Sequence, residues 1–328
     1  MMQYLQLRAL LLSCLRRRDC HRARYFLTGV ALLLVIPVMT LARYESGAGL
    51  QEISSPGDRK LTVAVLDFGD SSAGRVAADA VAANLGRDLT VLDRDATRAA
   101  ARGVGYGGSI NLSLSESRDL GAAIGCDFFI TGDAQTLRRS PSTGAVYFEA
   151  YASIFLVSAR TGRLIRWERP AFQRDTPAAA EQSLLSELSG PAIRQHLGRD
   201  TQRAFVDERG ERELKPTGQQ VAIIEAAPDD DKIAAAEGLR LPRPYRRLMP
   251  AYPEEAARAE AEATVDVLVD LDASGEVTRV EVARWAGFGL DEATIETVHH
   301  LHFFPAMRNG VAQPIRVLLR YNFRKPPR

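Results

Sequence analysis

The chain has 328 residues, 46% apolar and 25% charged, which leaves room for two modest cores of about 100 to 150 residues each. Its 42 basic and 41 acidic residues give a formal net charge of +1, so bulk charge supplies no pull toward nucleic acid. Cys14, Cys20 and Cys126 lie on two sides of an apolar segment, and neither a disulfide framework nor a metal quartet can be read from them.

Tyr25 to Ala42 is an uncharged run of 18 residues between Arg24 and Arg43. As a helix it measures roughly 27 Å and just spans a hydrocarbon core; Pro37 is tolerable in such a helix. Six arginines lie in the 20 residues before it, against three basic residues in the 20 after it. The positive-inside rule then leaves residues 1–24 in the cytoplasm and everything after Arg43 outside. The expectation is a single-pass anchor at 25–42, with a cleaved signal peptide as the competing reading.

Residues 60–198 predict a folded domain. Leu61 to Phe68 is a nearly continuous apolar run, as in a strand covered on both faces. Val76 to Leu85 has helical spacing and stops at Gly86, and Val91 with Leu92 starts a short strand. Ser113 and Glu116 have capping-box spacing ahead of a helix through Ile124, followed by an apolar strand at Phe128 to Ile130. Val146 to Val157 and Arg163 to Trp167 read as a hairpin. Thr176 and Pro177 then open a helical stretch that breaks at Gly190 and Pro191 and continues to Leu197.

The segments VAVLDF (63–68), VLDRD (91–95), LGAAIGCDFFITGDAQ (120–135) and FLVSARTGRLI (155–165) resemble, in order and spacing, the α/β module of the CsgG, FlgO and TolB amino-terminal kind. That resemblance implies a non-enzymatic module that docks with other envelope proteins. Two motif lookalikes carry no chemistry. Asp67-Phe68-Gly69 spells the kinase metal-binding triplet without its companion motifs. Gly103, Gly105, Gly107 and Gly108 are not followed by the Lys-Ser or Lys-Thr of a phosphate loop.

Residues 199–243 are charge-rich, with Asp229, Asp230 and Asp231 and several prolines, and show little sustained periodicity. They predict a flexible linker with one short strand at Val221 to Ile224. As a coil it reaches about 40 Å on average.

Residues 244–328 predict a second domain. Pro253, Glu254 and Glu255 open a short helix. Val265 to Leu271 and Val277 to Trp285 form a hairpin around Ser274 and Gly275. Leu290, Ala293, Thr294, Val298 and Leu301 share a helical face. In the last strand Ile315, Val317, Leu319, Tyr321 and Phe323 alternate with Arg316, Leu318, Arg320, Asn322 and Arg324, so the odd set faces the core and the even set faces outward. His299, His300 and His302 lack the i, i+4 spacing that clamps zinc on a helix.

The order YPEEAARAEAEATVDVLVDLDASGEVTRVEV (252–282) and GLDEATIETVHHLHFFPAMRNGVAQPIRVLLRYNF (289–323) closely resembles the TonB C-terminal domain. The resemblance implies that the outer side is the periplasm and the anchor lies in the inner membrane. It also implies an outer-membrane transporter or receptor as partner, gripped by strand addition at an edge, with ExbB- and ExbD-like motor subunits as further partners. The fold expected is α+β: a membrane helix, a mixed α/β periplasmic domain, a flexible linker and a small domain of three antiparallel strands and two helices. The partner-binding residues expected are Arg316, Leu318, Arg320 and Asn322. No catalytic, cofactor-binding or metal-ligating set assembles, so the chain reads as a non-enzyme, and homodimerisation stays open. The function expected is TonB-like support of energy-coupled transport across the outer membrane. Tyr25 to Ala42 lacks the serine and histidine usual in that family's membrane helix, so a passive envelope adaptor is the alternative.

Overall fold

The apolar run at Leu61 becomes a buried central strand, β1 (Thr62–Val65), in a computed structural model that describes residues 61–213, 224–228 and 231–325. Helix α1 (Ser72–Leu85) opens where the Ser71 hydroxyl accepts the Gly74 N–H at 2.9 Å, satisfying a donor that the helix itself cannot. Strand β2 (Thr90–Val91) lies parallel to β1. Helix α2 (Arg94–Gly103), which the sequence did not predict, is capped by Asp93. Arg94 and Arg98 of α2 both meet Asp67, with Arg98 Nε 3.0 Å from its carboxylate. That contact uses the aspartate of the kinase-like triplet to tie a helix to a strand end. Helix α3 (Leu114–Ile124) carries the complete capping box: Ser113 Oγ accepts from Glu116 N, and Glu116 accepts from Ser113 N at 2.7 Å.

The long strands β3 (Phe128–Arg139) and β4 (Tyr147–Ser158) pair antiparallel over all twelve residues. Strands β5 (Leu164–Glu168) and β6 (Ala171–Arg174) both join β4, giving a mixed sheet in the order β2-β1-β3-β4-β5 with β6 beside β4. Helix α4 (Pro177–Leu188) is capped by Thr176, and α5 (Pro191–Glu213) follows. One core joins Val63, Val65 and Ile130 of the sheet to Val81, Leu184, Leu188 and Leu197 of α1, α4 and α5.

The carboxy-terminal part adds α6 (Asp231–Ala236), β7 (Leu239–Arg240), β8 (Arg243–Pro244) and α7 (Glu254–Ala259). Strands β9 (Ala263–Leu271) and β10 (Val277–Arg284) then precede α8 (Leu290–His299). The chain ends in β11 (Phe303–Phe304), β12 (Ala306–Arg308), β13 (Val311–Gln313) and β14 (Ile315–Phe323). Strands β10, β9 and β14 form an antiparallel sheet in that order. The short strands pair as β11-β8 and β13-β12-β7.

The expected architecture needs correction in two places. Among the described residues no helix is long and apolar enough to cross a membrane; residues 25–42, where the anchor was expected, lie outside the described residues. The flexible linker does not begin at Arg199, because α5 continues to Glu213. Its buried stripe, Ile193, Leu197, Thr201, Ala204 and Glu208, keeps helical spacing but includes two polar residues, which disguised the period. Glu208 is buried because it accepts from Arg160 Nε at 2.8 Å and from Thr161 Oγ1 at 3.0 Å. Most of the strand expected at Val221 to Ile224 lies outside the described residues.

The carboxy-terminal sheet is not a separate body on a tether. The described residues, from Leu61 on, fall in one compact unit, and a single cluster of buried side chains runs from Ala64, Leu66 and Phe129 of the first sheet to Val265, Val267 and Ile315 of the second. At the join Trp285 stacks on Phe155 at 5.7 Å between ring centroids, and Phe288 meets Phe155 edge-on at 5.5 Å. The indole N–H donates to the Gly162 carbonyl at 3.1 Å. The Asn111 amide donates to the carbonyls of Thr264 at 2.9 Å and Trp285 at 2.6 Å, and its oxygen accepts from Thr264 N at 3.0 Å.

Candidate docking edge

Strand β14 lies at the border of its sheet, paired with β9 in unbroken register from Ile315↔Leu271 to Phe323↔Ala263. Backbone groups of successive residues in such a strand point alternately toward and away from the neighbour. Arg316 fixes the phase. Its N–H donates to the Glu225 carbonyl at 2.8 Å, and its carbonyl accepts from Ala227 N–H at 2.7 Å, both on the side away from β9. The N–H and C=O groups of Leu318, Arg320 and Asn322 therefore also point away from β9. Among the described residues no strand or loop pairs with them.

The side chains of these four residues share the sheet face opposite the core. Leu318 is 45% exposed, and Asn322 accepts from the Thr264 hydroxyl at 2.8 Å. The two arginines are more constrained than outward-facing charges. Arg320 grips Asp266 through both carboxylate oxygens at 2.7 and 2.9 Å, and Arg316 grips Asp270 the same way, with Nη2 at 2.8 Å. Both pairs sit opposite each other across β14 and β9 in the non-hydrogen-bonded positions, where side chains approach most closely. The guanidinium beside Asp270 holds its carboxyl below the ordinary range, and the hydrogen bonds that Arg316 and Arg320 donate to the two aspartates raise the arginines above theirs.

Asp266 and Asp270 alternate along β9 with the core residues Val265, Val267 and Val269, yet both are themselves buried, under the arginines. A signal was present: aspartates four apart on one strand and arginines four apart on another are complementary when the strands run antiparallel. Arg284 extends one row, its Nε 3.6 Å from Asp266. A half-exposed Leu268 sits between the rows, opposite Leu318.

The loop before α8 builds the contact with the first sheet. Asp291 accepts from the N–H groups of Ala286 at 2.9 Å and Gly287 at 2.8 Å. Burial pushes its carboxyl up to about 6 even against those bonds. Gly287 has φ +72°, and a Cβ there would lie 2.7 Å from the Phe155 ring, so only glycine lets the loop reach the first sheet. The residues weighed for chemistry lie elsewhere. Cys126 is partly buried, and burial raises its thiol to about 12, outside the range of a reactive cysteine. His302 lies 2.9 Å from Glu276, and His299 ends α8. Among the described residues no group of three or more His, Cys, Asp or Glu is placed to hold a metal ion.

Residues 249–324 match the family model described as the Gram-negative bacterial TonB protein C-terminal. The carboxy-terminal part of the chain is thus a domain of the TonB C-terminal type. No curated protein matches the chain. Among solved structures, the TonB C-terminal domain of Pseudomonas aeruginosa is 20% identical, covering 26% of this chain and 89% of its own, with a TM-score of 0.23. The LpoB C-terminal domain of Salmonella enterica is 14% identical over 37% of this chain and 88% of its own, with a TM-score of 0.26. The protein CT253 of Chlamydia trachomatis is 12% identical over 41% and 96%, with a TM-score of 0.30. At these scores the structural likenesses decide nothing about function. The expected likeness of residues 60–198 to the CsgG, FlgO and TolB amino-terminal module is not confirmed.

Proposed function

We propose that this protein works in the cell envelope as a docking protein, whose TonB-type domain captures a strand of an outer-membrane receptor on the open edge of β14. The supporting observation is the run of backbone groups at Leu318, Arg320 and Asn322 that point away from β9 in a domain matching the TonB C-terminal model. Strand addition needs such a row of unpaired donors and acceptors. The neighbouring side chains offer a captured strand an apolar spot at Leu318 between two arginine rows, which favours a partner carrying an apolar residue flanked by acids.

The passive adaptor is the reading we favour over an energy transducer coupled to ExbB- and ExbD-like subunits. Phe155, Trp285 and Phe288 join the two sheets through a shared core, so the α/β part and the docking part move as one piece. In this reading the α/β part contributes a second docking surface and no catalysis.

The test uses Leu318→Pro. Proline removes the outward N–H at that position and takes nothing from the β9 ladder. The variant should keep its thermal midpoint within a few degrees, yet lose co-purification of outer-membrane receptors in mild detergent. Undiminished receptor capture by a folded Leu318→Pro chain would move docking away from this edge. Recovery of motor subunits with the wild-type chain would restore the transducer.

A further inference from the structure

The open side of Arg316 is already filled from within the chain. Glu225 and Ala227 flank Ala226, which bridges to Arg316 in parallel orientation, and their backbone groups make the 2.8 and 2.7 Å bonds to Arg316. Arg308 adds a 2.6 Å contact to the Glu225 carboxylate, with side chains 31% and 52% exposed. Ala226 is exposed and Ala227 only partly buried. Among the described residues the contact is therefore a short strand addition of the same kind that a partner would make, held by two backbone bonds, one solvent-screened ion pair and the packing of Ala227 against the edge of the core.

We propose that Glu225–Ala227 is an internal placeholder on the docking edge, which withholds the outward groups of Arg316 while those of Leu318, Arg320 and Asn322 have no backbone partner among the described residues. This rests on the reading of β14 as a docking edge. A partner strand meets the free half first, between Asn322 and Leu318, and completes the edge by displacing the placeholder. Because the placeholder belongs to the same chain, its local concentration is about millimolar or higher. A partner present at micromolar concentration is thus weakened in proportion to the fraction of edge held closed. Loss of the placeholder should strengthen capture without adding any new contact.

The test uses the full chain and a probe cut from the chain itself, a fluorescein-labelled peptide AIIEAAP (residues 222–228). In Glu225→Gln/Ala227→Pro the Arg308 partner and the N–H offered to the Arg316 carbonyl are both gone. Fluorescence polarisation should show the peptide binding this variant at least about tenfold more tightly than the native chain. Equal binding to both would overturn the placeholder. Hydrogen exchange on the unmodified chain is a second measure that does not depend on the variant folding. The Arg316 amide should exchange more slowly than those of Leu318 and Arg320, and equally fast exchange at all three would also overturn it. The peptide assay contains no receptor, so its failure leaves the receptor reading standing. Conversely, peptide entry into a vacated edge without receptor capture would overturn the receptor reading and keep the placeholder.

Discussion

Arg316 and Arg320 show how a residue's partner changes what its substitution means. Read as free outward charges, they would tolerate reversal to glutamate. In the structure each covers a buried aspartate, and reversal would set carboxylate against carboxylate on a face where Asp266 and Asp270 cannot retreat to water. Arg316→Glu/Arg320→Glu is therefore expected to lower the urea midpoint markedly. An unchanged midpoint would mean that the pairs contribute no stability. Leu318 carries no such burden, which is why its proline variant is the cleaner probe of docking.

Asp291 makes a prediction with a defined sign. Its folded carboxyl titrates near 6 against an ordinary 3.8, so the folded state holds the proton more tightly between those values. The stabilisation is fully present below about pH 4 and is lost as pH rises through about 6. The stability advantage of wild type over Asp291→Asn should be larger at pH 4.5 than at pH 7, by up to about 2 kcal/mol. Urea titrations at the two pH values measure this directly. A difference that stays flat would mean an ionised carboxylate throughout.

At the scale of elements, α3 and α5 respond to different causes. Helix α3 has its start written locally, in Ser113 and Glu116 three residues apart, and both bonds of the box form. Ser113→Ala should cost about 1 kcal/mol in thermal or chemical unfolding. Helix α5 has no comparable local mark beyond Pro191, and its second half owes its order to the sheet beneath it. Ala204 is 8% exposed inside what reads as a tether. Ala204→Asp should therefore cost more than about 2 kcal/mol by placing a carboxylate in the core. In a solvated tether the same change would stay within about 0.5 kcal/mol, so one denaturation curve separates a helix from a linker.

For the whole molecule the controlling feature is the aromatic join. Trp285 is 1% exposed and Phe155 fully buried, and truncating a buried tryptophan costs about 3–5 kcal/mol. Trp285→Ala should divide a single cooperative unfolding transition into two in calorimetry, with the first sheet melting separately from the β10-β9-β14 sheet. One unchanged transition would show that the polar bonds from Asn111 hold the join without the indole.

What the sequence determined by itself was local. Cap residues, the alternation of β14 and the terminal domain's TonB-type pattern are set by residues within a turn or a strand of one another, where the side-chain period is visible. What the tertiary structure decided rests on pairs far apart in the chain. Asp266 is buried by Arg320, Trp285 is seated against Phe155 and Gly162, and Arg316 is met by Glu225 and Ala227. None of these contacts has a period along the chain. A buried aspartate and a solvated one look alike until the strand carrying its arginine is laid beside it, and a charged run such as 199–213 becomes a helix only when a sheet is present to cover one side of it.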